Sequence, residues 1–525
     1  MVTARVLPMG ERALLVETHG LADVLALHQA LDVTRPEGVT DLVPAARTVL
    51  VRVDPRVLPL AAARTWAAAT AAAAQGAPPQ TAAPVELDIA YDGADLAETA
   101  DLLGMSSEAL AGRHAAAGWT VAFTGFAPGF GYLVSNDWPF DVPRLDAPRT
   151  RVPAGAVGLA GRFSGAYPRE TPGGWRLIGT TTATLFDPDA VSPALLAPGA
   201  LVRFRSVPAR GRQGTGRNAA AAPSSAGDRG ISPRSLTGFE VVEPGLLSTL
   251  QDLGRPGAAA LGVSGSGALD RGALRTANRL VGNPESAAGV EVTMGGLRAV
   301  AARDLWFAVT GAWGPIRLDG REIDPYEAHL WPAGSELHLD WFAHGARAYL
   351  AVRGGLDGRA ALGSLSADLL AGLGPPALRA GARVGVRDEA SVPIPVAPPA
   401  QWGAPHDDEL TLELAPGPRA DWFAPGAAGA LFEAVWTVSN QADRVGARLD
   451  GPELVRSRTE ELPSEGMVPG ALQVPPSGRP TVLLADGPVT GGYPVIAVMT
   501  DASLDLIAQA RPGTRIRFRH ARGSD

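Results

Sequence analysis

Two arginines, Arg144 and Arg149, each follow a proline in one loop, in the steps Pro143-Arg144 and Pro148-Arg149. A planar guanidinium suits carboxylates, phosphates and carboxylated intermediates; each could equally pair with Asp141 or Asp146 nearby. Tyr167 and Trp175 stand beside Pro168 and Gly174, as pocket wall or as barrel core. Later in the chain, Gln251, Asp252 and Arg255 crowd one turn, and Asp443, Arg444 and Arg448 form a second polar cluster. Glu291 and Glu465 lie close to glycine or small residues, and Asp486 ends the apolar run Val482–Ala485, where an active-site carboxylate could sit. The eight histidines form no His-x-x-x-His or His-x-His pair, so the sequence supports no metal site. His114, on an expected helix, reads as a surface histidine.

The chain of 525 residues is long enough for several domains, and its formal charge of −8 gives nucleic acid no basic footprint. It holds no cysteine, which excludes disulfides and thiolate chemistry. It also holds no lysine: all 46 cations are arginine, so a P-loop lysine, a Schiff base and covalently attached biotin are excluded on this chain. ATP or biotin chemistry using such groups must come from another chain. No apolar run reaches bilayer length and Met1–Gly10 shows no signal-peptide pattern, so a cytoplasmic location is the expectation.

The elements that must position these residues are mostly strands. From Thr124 to Thr182 glycine, proline and aromatics concentrate, which suggests short strands, tight turns and rigid loops. Residues 1–83 read as a small α/β subdomain with helices at Ala22–Leu31 and Arg56–Gln75. Residues 84–207 form a second unit, with a Ser106/Ser107-capped helix over Ser107–Ala116. Residues 208–235 lack large apolar side chains and read as a flexible linker, and 236–525 form the second half, with a helix over Asp270–Leu280. The phrases Gly173-Gly174-Trp175-Arg176-Leu177-Ile178 and Gly491-Gly492-Tyr493-Pro494-Val495-Ile496, each followed by a Pro-Gly and a strand ending Phe204-Arg205 or Phe518-Arg519, favour a duplicated β fold.

The run Gly125-Phe126-Ala127-Pro128-Gly129-Phe130-Gly131-Tyr132-Leu133, with Val152–Gly158 and Tyr167-Pro168…Pro172-Gly173-Gly174-Trp175, resembles the allophanate hydrolase subunit 1 family, which includes the B subunit of 5-oxoprolinase and a bacterial kinase inhibitor. The second half resembles the allophanate hydrolase subunit 2 family, which includes the C subunit of 5-oxoprolinase and the carboxyltransferase region of urea carboxylase. The segments that carry it are Gln251–Gly257, Ala277–Asn283 with Asn278, Asp443-Arg444-Val445-Gly446, Ser464-Glu465-Gly466, Gln473-Val474-Pro475 and Thr490-Gly491-Gly492-Tyr493-Pro494. The resemblance implies a mainly β fold with α+β parts: two cyclophilin-like β-barrel halves plus the small N-terminal α/β subdomain.

It further implies a natural fusion of the B and C subunits of 5-oxoprolinase. With a separate 5-oxoprolinase A subunit, such a fusion uses ATP to open 5-oxoproline to L-glutamate. The alternatives it leaves are a urea carboxylase-type carboxyltransferase acting on biotin borne by another protein, and a kinase-inhibitor-like binding protein. A homo-oligomer is compatible with either. Under this reading Asp486, Glu465 and Arg144 are the expected catalytic residues. The expected substrate-binding set is Phe126, Pro128, Tyr132, Arg149, Tyr167, Trp175, Gln251, Asp252, Arg255, Asn278, Arg444, Gln473 and Tyr493, forming one site shared by both halves. Departures from the family pattern at Phe163, Thr180, Leu365 and Pro488 leave the substrate's identity open.

Overall fold

A computed structural model describes residues 4–74, 83–208, 236–388, 392–395, 403–406 and 408–522. The expected linker therefore lies, from 209 to 235, outside the described residues, as do residues 396–402.

The N-terminal unit is a four-stranded antiparallel sheet in the order Arg5–Pro8, Ala13–Glu17, Thr48–Val53, Val39–Pro44. Helices Leu21–Val33 and Leu60–Ala73 cover one face, where Leu14, Val16, Leu27 and Ala67 pack. The other face is equally apolar: Leu7, Met9, Leu15, Val43 and Leu50 pack against Met467, Val468, Leu483, Val495 and Val498 far along the chain. Burial on both faces explains why Ala13-Leu14-Leu15-Val16 is a continuous apolar run and not an alternating one. The unit that begins the chain thus shares its core with the end of it.

Two barrels follow the same plan. In the first, seven strands lie in the order Arg176–Thr180, Ala156–Ala160, Phe163–Ala166, Gly131–Val134, Trp119–Thr124, Leu201–Ser206, Val85–Ile89. The outer strands are joined by a two-bond bridge, Ala90 N to Thr180 O at 2.9 Å and Thr180 N to Ala90 O at 2.8 Å, which closes the sheet. In the second, a closed barrel runs Val495–Met499, Ala471–Gln473, Thr481–Leu483, Gly446–Asp450, Trp436–Ala442, Arg515–His520, Glu409–Pro416. Matched in this way, the chain order is the same, and in each the first strand pairs in parallel with the last. Each also carries an extra two-stranded pair, Arg149–Val152 with Thr171–Gly173 and Glu465–Gly466 with Thr490–Gly491. Even a core detail repeats: the buried Trp119 donates its indole N–H to His114 O, and Trp436 to Leu431 O, both at 3.0 Å. The repeated Gly-Gly-aromatic phrases mark this duplication.

Between the barrels in sequence lie two packed sheets, of seven and five strands, spanning Leu236 to Val386 around Phe239, Phe307, Trp331 and Leu350. Helix Arg271–Leu280 packs through Leu274 and Ala277 on Ala308, Tyr349 and Ala351. Its first turn is closed by Asp270, whose carboxylate accepts Ala273 N–H at 2.8 Å. Helix Ser107–Ala116 is likewise capped by the Ser106 hydroxyl, which accepts the Ala109 N–H. Among the described residues, no helix is long and apolar enough to cross a membrane.

Candidate functional site

The glycine-rich loop after Thr124 builds a pocket in the first barrel. Phe126 is held at φ 64°, a conformation costly for a side chain with a Cβ and tolerated where surroundings enforce it. Those surroundings come from another unit: Gly129 N–H donates to Leu261 O at 2.8 Å, and the Thr124 hydroxyl donates to Ala260 O. Phe126, Phe130, Tyr132, Tyr167 and Trp175 then meet edge to face, with ring centroids 5.1–6.1 Å apart in the pairs Phe130–Tyr132, Phe130–Tyr167, Phe130–Trp175, Tyr132–Trp175 and Phe126–Tyr167. Gly173 must be glycine, because a Cβ there would lie 2.6 Å from the Tyr167 hydroxyl.

The resulting cavity, of about 270 Å³, is lined by these aromatics with Arg144, Leu145, Pro148 and Gly174. Arg144 stands exposed at its rim. Burial pushes the Tyr132 phenol up to about 12 and Tyr167 up as well, so both are hydrogen-bond donors at neutral pH and not bases. Among the described residues, no carboxylate or imidazole lines the cavity. Its lining offers aromatic faces, two phenolic donors and one guanidinium.

Arg149 and Pro128 are not part of this lining. Arg149 turns away to Asp95 at 2.6 Å, and Asp95 also accepts the N–H of Leu177 at 2.7 Å.

The second-half residues gather elsewhere. Arg444 is buried between the barrel and the sheet unit, donating to Asp486 Oδ2 at 2.7 Å, Glu291 Oε1 at 2.6 Å and Gly267 O at 2.7 Å. Asp486 also accepts from the Ser266 hydroxyl at 2.6 Å, and Glu291 from Tyr349 at 2.8 Å. Burial raises the pKa of Asp486 against the pull of Arg444, and burial of Arg444 is outweighed by its two carboxylates, which hold it charged. Asp252 accepts from Ser364, Leu365 N–H, Ser366 and Gly254 N–H at 2.6–2.8 Å and so fixes the neighbouring turn. Arg255 donates to Ser366 O, and Gln251 to Ala367 O.

Glu465 lies in a third place, paired with Arg419, which also reaches Glu17 of the N-terminal sheet at 2.6 Å. Gln473 is buried beside Met467, and Tyr493 is 46% exposed. Asn278 joins Ala287 O and Asn283 at the end of its helix.

The family described as "Carboxyltransferase domain, subdomain C and D" matches residues 4–196, and "Carboxyltransferase domain, subdomain A and B" matches 261–520. The chain is 38% identical to the C subunit of 5-oxoprolinase from Escherichia coli K12 over 285 residues, covering 53% of this chain and 90% of that protein. The chain belongs to the carboxyltransferase domain family. Over 123 residues it is 46% identical to the B subunit of 5-oxoprolinase from Escherichia coli O157:H7, 23% of this chain and 56% of that one. The crystal structure of TTHA0988 superposes with a TM-score of 0.82 at 37% identity, covering 99% of this chain and all (100%) of that one.

Within this family fold, the residues picked out from the sequence do not assemble into one shared site. Phe126, Tyr132, Arg144, Tyr167 and Trp175 meet in the first barrel; Asp252, Arg255, Arg444 and Asp486 occupy the junction; Glu465 and Gln473 serve the second barrel. His114 requires a correction. It is fully buried, not on the surface, between the Tyr91 hydroxyl on Nδ1 and the Ser164 hydroxyl on Nε2, each at 2.8 Å. It falls on the inward face of its helix, and the two hydroxyls make its burial tolerable. Arg419 and Glu17 escaped notice because nothing local marks them: they meet each other across most of the chain.

Proposed function

We propose that this chain is the fused B and C component of a 5-oxoprolinase, working in the cytoplasm with a separate 5-oxoprolinase A subunit to open 5-oxoproline to L-glutamate. The observation that carries this reading is that one polypeptide holds, in order, the two carboxyltransferase parts related to the B and C subunits. Residues 1–207 correspond to the B part and 236–525 to the C part, joined by 208–235.

The reaction breaks the ring C–N bond of a lactam, adding the oxygen of water to the carbonyl carbon and a proton to the nitrogen. An amide carbonyl is a poor electrophile, and ATP supplies the activation of its oxygen. The nucleotide fits the partner better than this chain, which has no lysine for a P-loop and whose first-barrel pocket, at about 270 Å³, is lined by aromatics. That pocket offers phenolic donors and the Arg144 cation, groups suited to a ring carbonyl and to an anion.

Mixing the chain with the A subunit, ATP and 5-oxoproline should yield glutamate. Arg144→Ala should lower kcat/KM about tenfold, mainly through KM, if it contributes one charged contact to substrate binding. Carboxyl transfer from added carboxybiotin with no glutamate formed would replace this reading by the carboxyltransferase one, which the family relationship also supports.

A further inference from the structure

A second cavity, of about 130 Å³, lies where three units meet: the N-terminal sheet, the start of helix Arg271–Leu280, and the second barrel with its helix Asp501–Ile507. Four arginines reach it, Arg12, Arg52, Arg271 and Arg275, against Glu11, Asp501 and Asp505.

The acids are largely spoken for. Asp501 pairs with Arg12, and Asp505 accepts the backbone N–H groups of Arg271 and Gly272 at 2.9 and 3.2 Å. Arg52 lies 3.8 Å from Asp41, and Arg275 lies 3.8 Å from Glu285. The part-exposed guanidinium of Arg271 has no hydrogen-bonded or ion-pair partner among the described residues; burial, Arg52 and Arg12 work against its charge, while Asp501 and Asp505 favour it. A guanidinium that faces a cavity with its planar fork free of hydrogen-bonded partners can take an added carboxylate. The remaining wall is apolar, from Leu269, Leu484 and Met499.

We propose that this cavity is a carboxylate-binding site. Arg271, flanked by Arg12 and Arg52, takes the carboxylate of a small organic acid whose body rests on Leu269, Leu484 and Met499. The identity of that acid rests on the proposed function: under it, the occupant is 5-oxoproline. The first-barrel pocket then meets the same molecule at a later stage of the reaction.

The intact chain, with no partner protein added, is titrated calorimetrically with 5-oxoproline, with 2-pyrrolidinone (the same ring without a carboxylate) and with inorganic phosphate. The expected result is binding of 5-oxoproline, with 2-pyrrolidinone about tenfold weaker or worse. Arg271→Gln should weaken 5-oxoproline binding by about tenfold or more. Ala502→Trp, at an exposed position on the cavity wall, should give the same loss by obstruction and keeps the test open if Arg271→Gln misfolds.

Unchanged affinity in both cavity variants overturns the proposal, as does equal binding of 2-pyrrolidinone or a site that takes phosphate and no carboxylate. Arg271-dependent binding without glutamate formation in the reconstituted system would sink the 5-oxoprolinase reading and leave the site standing. Glutamate formation unaffected by Arg271→Gln and by Ala502→Trp would do the reverse.

Discussion

The two barrels share strand order, parallel closing pair and buried tryptophan, yet they treat one position oppositely. In the first, Arg149 sits opposite Gly173 and pairs with Asp95, whose N–H donates to Leu177 O. In the second, Glu465 sits opposite Gly491 and pairs with Arg419, whose N–H donates to Val495 O. The ion pair occupies the same place with its charges exchanged. The consequence is spatial. Arg419 reaches on to Glu17, the backbone of Ala46 donates to Ser464 O at 3.0 Å, and Leu50 packs on Gly466, so the N-terminal sheet covers that face of the second barrel. The corresponding face of the first barrel stays open and holds the aromatic pocket. Of the two related scaffolds, one has this face packed in assembly and the other has it open.

The comparison can be broken most forcefully at Glu465. Its Ala variant leaves Arg419 buried with Glu17 as its remaining carboxylate and should cost about 3–5 kcal/mol in urea unfolding. A loss under about 1 kcal/mol would mean the N-terminal sheet is not held by this pair.

The next effect is one of pH. Burial brings the His114 pKa down to about 3 from an ordinary 6.5, so the unfolded chain binds a proton that the fold refuses. The associated stability is complete above pH 6.5 and falls by up to about 1.4 kcal/mol per pH unit toward pH 3. His114→Leu, which imports the residue type found at Leu431, should remove one proton from the slope of unfolding free energy against pH over that window. An unchanged slope would show that His114 does not control it.

Asp95→Ala, in the first barrel, should cost about 1–3 kcal/mol, less than its counterpart, because Arg149 is part-exposed and water can replace its partner. The cost should persist in Asp95→Arg combined with Arg149→Glu, since an arginine at 95 cannot accept the Leu177 N–H. Full recovery of stability in that swap would mean the two pairs are interchangeable. Smallest in stability is Arg144→Ala, within about 0.5 kcal/mol for an exposed side chain, with its effect confined to ligand binding.

Much of the fold was legible in advance. The repeated Gly-Gly-aromatic phrases point to duplication because the fold needs glycine where a Cβ would strike Tyr167 or Gln473. Capping by Ser106 obeys local rules. The aromatic pocket was partly legible too, since Phe126, Tyr132, Tyr167 and Trp175 lie within one short stretch. Phe130 was in view, but nothing in the sequence showed it to be the ring that the others meet. His114 misled because its helix is short and its hydrophobic pattern weak, so inward and outward faces look alike in sequence.

The sequence by itself determined that no lysine or cysteine chemistry occurs on this chain, that β structure dominates, and that two related halves exist. Those properties follow from composition and from short-range steric rules. Tertiary structure alone decided that Asp486 and Glu465 are held in separate ion-pair networks, that the N-terminal sheet shares its core with the second barrel, and that Arg271 faces a cavity with no ion pair of its own among the described residues. Each depends on partners brought together from distant segments by burial of apolar surface, which is non-directional and leaves no local mark.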